Sequence, residues 1–151
     1  MTDLPTTARF GLPLLATAQA QKEITHNEAL TLLDALAHAA VEDGPRADPP
    51  PTAAAGQCWL VADAATGGWT GAAAGSLAIS TAGGWRFIAP RRGMRVLRLA
   101  DGARLHFESG VWMEPGVIAN PDGGTIVDSE ARTAITAIIL ALSARGLLIS
   151  G

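Results

Sequence analysis

Residues 95–108 read RVLRLADGARLHFE. In an extended chain, successive side chains point to opposite faces. Val96, Arg98 and Ala100 therefore share one face, and Leu97 and Leu99 share the other. Asp101-Gly102 is a turn signal, and beyond it Leu105 and Phe107 come back to meet one of those apolar rows across a hairpin. Similar short runs flank this one. Strands are expected at 57–62, 76–80, 85–89, 95–99, 104–108 and 111–114. The turn signals Thr66-Gly67-Gly68, Ala82-Gly83-Gly84, Arg92-Gly93 and Ser109-Gly110 separate most of them. Short strands and frequent glycines predict an antiparallel β-meander body over 57–116.

Before this body the period changes. Leu30, Leu33, Ala37 and Val41 form one helical stripe, widened by Leu36 and Ala40, with Asp34, His38 and Glu42 on the opposite side. Thr25 and Glu28 have capping-box spacing, which starts a helix at residue 25, and Gly44-Pro45 ends it. Residues 46–56 hold Pro49-Pro50-Pro51 and an alanine run. They read as a polyproline II spacer between the helix and the β body. Residues 1–24 form an extended arm, interrupted by Pro5, Gly11 and Pro13. The arm has too few large side chains for a core of its own, so another part of the fold or another chain holds it. Phe10, Leu12, Leu14 and Leu15 are the side chains expected to dock on a neighbouring chain. After a loop at 115–124, a second helix is expected over 129–144, with Asp128 as N-cap and Gly146 as terminator. The fold class is α+β: extended N-terminal arm, capped helix, β-meander body, C-terminal apolar helix.

The chain has 151 residues, 48% of them hydrophobic and only 17% charged, against about 25% charged in an ordinary soluble domain. Either partner subunits cover part of the exterior, or the alanine content reflects a GC-rich coding bias. The net charge of −3 argues against a nucleic-acid partner, which needs clustered cations. Arg91, Arg92, Arg95 and Arg98 read as a solvated or inter-subunit face. A single cysteine, Cys58, allows no internal disulfide and reads as a small core residue. The N-terminus lacks the pattern of a signal peptide. The longest apolar run, 137–142, is far short of the ~20 residues of a membrane span. A soluble protein made in the cytoplasm is expected, with no membrane insertion.

The C-terminal helix is apolar on every face, interrupted only by Thr133, Thr136 and Ser143. A helix of that kind is normally buried all round. Its cover is either its own sheet or copies of itself. The second option makes a homo-oligomer with Ile135, Ile138, Ile139 and Leu142 at the interface. Trp59, Trp85 and Trp112 read as staples of a thin sheet core. Trp69, flanked by Gly67, Gly68 and Gly71, is the candidate exposed aromatic for stacking on a glycan. Enzyme signatures are missing: no phosphate loop, no nucleophile elbow, and His26, His38 and His106 lack metal-ligand spacing. No catalytic residue, metal or cofactor is expected.

The run Leu12-Pro13-Leu14-Leu15, Ala18-Gln19-Ala20-Gln21-Lys22-Glu23 and Thr25-His26-Asn27-Glu28-Ala29-Leu30 resembles an uncharacterised-domain family of alphaproteobacterial phages, prophages and gene transfer agents. Gly56-Gln57-Cys58-Trp59, Gly67-Gly68-Trp69 and Gly83-Gly84-Trp85-Arg86-Phe87-Ile88-Ala89-Pro90 are similar to it as well. The resemblance implies a virion component, closest to a head-spike base. Such a protein joins the capsid to a spike fibre that binds host capsular polysaccharide. Its partners would be capsid and spike-fibre proteins, and its location the phage-like particle. The resemblance supplies no catalytic residues. The alternative role is a glycan-binding module that contacts capsular polysaccharide through Trp69.

Overall fold

The computed structural model describes residues 4–16 and 22–149. It divides into two compact units, Met1–Arg91 and Arg92–Gly151. The strands expected as one body are shared between them. The fold is α+β and rich in antiparallel pairs.

In the first unit α1 spans Lys22–Ala37. It starts before Thr25, so the expected capping box does not form. Glu28 instead accepts from Arg86 Nε at 2.6 Å. The chain leaves the helix before Ala40–Val41, a two-residue strand β1. Glu42 N then donates to Cys58 O at 2.7 Å. Strands β2 (Cys58–Leu60), β3 (Leu77–Thr81) and β4 (Gly84–Ile88) form an antiparallel meander in the order β2-β3-β4. Cys58 faces Ile79, Trp59 faces Ala78 and Leu60 faces Leu77. All six of these residues are buried, which explains why β2 reads as a continuous apolar run rather than an alternating one. Thr81 pairs with Gly84, leaving Ala82-Gly83 as a two-residue hairpin loop.

One face of this sheet carries a tryptophan cluster. Trp59, Val61, Trp69 and Ala78 are buried together, with Ala53, Ala65, Ala72 and Trp85 packed against them. Trp85 stands edge-to-face to both other rings, at 5.7 Å from Trp59 and 5.2 Å from Trp69. The proline-rich segment is not a spacer between two bodies. It is pinned to the first unit by Arg46 N on Leu60 O (3.0 Å) and Ala62 N on Arg46 O (2.8 Å). The Gly44-Pro45 bond before it is cis.

In the second unit β5 (Arg95–Arg98), β6 (Arg104–Glu108) and β7 (Val111–Met113) form another antiparallel meander. Val96 faces Leu105, and Phe107 faces Trp112. Ser109 and Gly110 both have positive φ, 50° and 86°, as a two-residue hairpin loop requires. All six expected strands are present with ends shifted by two residues at most. Helix α2 spans Ser129–Ser143, and Asp128 Oδ1 accepts from Ala131 N at 2.8 Å as the N-cap. At its far end Gly146 N donates to Ser143 O (2.9 Å) and Leu147 N to Leu142 O (3.0 Å). That is a Schellman closure around Gly146 at φ +65°.

Candidate functional site

Two features stand apart from the cores. The first is a clasp between the arm and α1. The arm turns back on itself: Thr7 N donates to Leu12 O (2.9 Å), Leu14 N to Pro5 O (2.7 Å) and Leu12 N to Thr7 Oγ1 (2.9 Å). This hairpin lies on Asp34, whose side chain is buried and takes three donors from it. They are Thr7 Oγ1 (2.8 Å), Arg9 N (2.9 Å) and Phe10 N (2.9 Å). The guanidinium of Arg9 donates to the carbonyls of Ala35 (2.9 Å) and His38 (3.0 Å). It thereby satisfies carbonyls at the end of α1 that the helix itself leaves unpaired and that carry its negative dipole. Nearer the start of α1, Asn27 accepts from Leu15 N and donates to Leu15 O, both at 2.9 Å.

The sequence reading put Asp34 on the polar side of α1. It is among the most buried residues of the helix, while Leu33 is 57% exposed. The inner face of α1 is rotated from the expected stripe because part of what covers it is a polar arm rather than an apolar core. Of the expected docking residues, Leu12, Leu14 and Leu15 are half-buried and Phe10 is 50% exposed. Phe10 lies against the His38 ring at 5.7 Å. The arm's polar contacts are therefore met by its own chain.

The second feature is α2. None of its residues is buried. Arg132, Thr136, Ile139, Leu142 and Ser143 are half-buried and form its inner stripe. Ile135, Ile138 and Leu140 are exposed, at 43%, 59% and 65%. Both ends are tied down. Arg132 donates to the carbonyls of Pro121 and Gly123. Beyond the other end, Arg104 N donates to Gly146 O at 3.0 Å and Arg104 Nε to Arg145 O at 2.6 Å. The four interface candidates thus split, with Ile135 and Ile138 outward and Ile139 and Leu142 inward.

Trp69 corrects the sequence reading. It is completely buried, so it presents no face to a glycan. Gly67 and Gly68 beside it lie against neighbouring side chains rather than in an open turn. A Cβ on Gly68 would lie 3.4 Å from Trp85 Cδ1, and one on Gly67 would lie 3.3 Å from Pro49 Cδ.

Cys58 is buried, as expected, and burial pushes its thiol from 9.0 up to about 11, with Arg9 opposing and Glu42 and Asp34 adding to the rise. A raised folded value favours the native protein below the unfolded pKa, and that contribution is lost as pH climbs through the folded one. Stability is therefore expected to fall by about 2–3 kcal/mol between about pH 9 and pH 11 from this group. Urea unfolding across that range, compared with Cys58→Ala, measures it. A native thiol that reacts with a disulfide reagent at pH 8 as fast as the unfolded one would contradict the assignment.

Arg98 forks onto Asp101, with Nε to Oδ1 at 3.0 Å and Nη2 to Oδ2 at 2.7 Å, and reaches Glu114 Oε1 at 2.5 Å. Its hydrogen bonds hold the Asp101 carboxyl below the usual range. The group fastens the turn between β5 and β6. Among the described residues, no three His, Cys, Asp or Glu side chains group as metal ligands, and no helix is long and apolar enough to cross a membrane.

The family described as "Protein of unknown function (DUF2793)" matches residues 26–113. The match runs from α1 through β7 and leaves the arm and α2 outside it. No curated protein matches the chain.

Proposed function

The chain belongs to the DUF2793 family of proteins of unknown function, and on that premise we propose that it is a structural assembly protein whose copies associate through α2. One observation carries this reading: an almost uncharged helix has no buried residue in its own chain. Its charges, Glu130 and Arg132, lie in the first turn, and residues 133–143 carry none. Exposed apolar area of this kind on a folded chain marks an interaction surface. A face without charges offers nothing to select a distinct partner, and a like face on another copy matches it. Covering the exposed parts of Ile135, Ile138 and Leu140 contributes on the order of 1–2 kcal/mol each.

The resemblance carried by residues 12–30 and the tryptophan motifs supplies the setting. In it the protein is a head-spike base in a phage-like particle, joining the capsid to the spike fibre used in attachment to the host capsule. This role is structural and places no catalytic step on the chain.

Size-exclusion chromatography with light scattering tests the self-association. The intact protein is expected to run as a defined oligomer at micromolar concentration. Ile135→Asp with Ile138→Asp is expected to give a monomer with unchanged circular dichroism, because both side chains point away from the core. A monomeric intact protein would overturn the proposal.

A further inference from the structure

We propose that α2 pairs antiparallel with α2 of a second copy, about a twofold axis beside Ile138, with Glu130 of each copy against Arg145 of the other. This rests on the self-association proposed above and adds the direction and register of the contact.

The outermost line of α2 decides the match. Arg132, Thr136, Ile139, Leu142 and Ser143 form the inner stripe. At 3.6 residues per turn, Glu130, Ala134, Ala137 and Ala141 then share the opposite side, and all four are exposed. Arg145 follows in the closing turn and is exposed as well. This line carries an acid at one end, a base at the other and no charge between them. Glu130 accepts from the adjacent Ser129 hydroxyl at 2.9 Å. Arg145 forms no ion pair among the described residues.

Glu130 lies eight residues before Ile138 and Arg145 seven after it. Two copies aligned in the same direction therefore set Glu130 on Glu130 and Arg145 on Arg145. Two copies in opposite directions set unlike charges together at both ends, and complementarity of this kind fixes register and excludes the alternative. The helix dipoles favour the same reversal.

The register chosen by the charges also fits the shapes. It places Ala134 opposite Ala141 of the second copy, and Ala137 opposite Ile138. Small side chains facing each other allow an approach near the short end of the usual range of about 8–10 Å between helix axes. At the centre a large side chain meets a small one. Neither match is available within one chain, because each needs the same helix twice.

The test uses the full chain with one added cysteine, Ala134→Cys or Ala141→Cys. Both positions are exposed and lie about 10 Å apart along the helix, so a disulfide, which needs Cα atoms within about 7 Å, reports direction and register. Each variant is purified alone, and the two are also co-expressed with different tags, before mild oxidation. The co-expressed pair is expected to form a disulfide between residue 134 of one chain and residue 141 of the other, while each variant alone stays reduced. The unmodified chain checks that Cys58 stays silent. An oligomer by light scattering in which each variant links to itself overturns the antiparallel pairing in favour of a parallel one. An oligomer without links overturns pairing along this line. Both results leave self-association standing, whereas a monomer without links overturns both proposals.

Discussion

Trp69→Ala is expected to destabilise the first unit by about 3–5 kcal/mol, the usual cost of emptying a fully buried tryptophan site. The ring is completely buried, packs edge-on to Trp85 at 5.2 Å and shares its cluster with Trp59, Val61 and Ala78. Its removal opens a cavity beneath Trp85 that small neighbours such as Ala65 and Ala72 cannot fill. Trp69→Phe separates packing from hydrogen bonding. The Trp69 indole N–H has no hydrogen-bond partner among the described residues. Phenylalanine keeps most of the apolar contact and removes a donor whose desolvation is uncompensated at a cost of about 1–3 kcal/mol. Trp69→Phe should therefore cost less than half as much as Trp69→Ala. Urea unfolding followed by far-ultraviolet circular dichroism gives both values. Equal losses for the two variants would mean that the ring does not fill its site as described.

Gly146→Ala is the second large effect, and it acts on the other unit. At φ +65° an alanine pays for a left-handed backbone. Its Cβ would also collide with the carbonyl oxygen of Gly102 and lie 3.2 Å from Arg104 Cγ. Left-handed strain costs about 1–2 kcal/mol and overpacking typically about 1–3 kcal/mol, so a total loss of about 2–5 kcal/mol is expected. The backbone cannot simply yield, because Gly146 O accepts from Arg104 N at 3.0 Å and its own N–H closes α2 on Ser143. Gly93→Ala is the control. It has positive φ (84°) but nothing within 4 Å of an added Cβ, so it should lose only the backbone part, about 1–2 kcal/mol. Thermal unfolding that ranks the two variants equally would refute the close approach of the α2 terminus to the Gly102 turn.

The strands were legible because their signal is local. Alternation and glycine turns fix a hairpin within ten or so residues, and each expected strand is there. The N-cap and terminator of α2 were legible for the same reason. What failed depended on contacts between residues far apart in sequence. Periodicity assumes that the inner face of a helix is apolar, but part of α1's cover is the arm, so Asp34 went inward to meet Thr7, Arg9 and Phe10. Thr25 and Glu28 have the spacing of a cap, yet the helix began earlier and Glu28 was taken by Arg86, 58 residues on. Glycines around Trp69 were read as exposure. Gly67 and Gly68 instead lie against Pro49 and Trp85, a fact no local window contains. For the clasp, an Arg and a Thr in an arm with a lone Asp in a helix are too common a combination to pair by sequence.

Helix α2 is braced at both ends, by Arg132 near its start and by the Gly146 closure with Arg104 past its finish, yet its outer side is bare. The tilt of that bare side is thus settled within a single chain, as a cooper bevels each stave before the cask is raised. In the self-association proposed above, the angle at which two copies meet would be set by the brace rather than by the greasy surface.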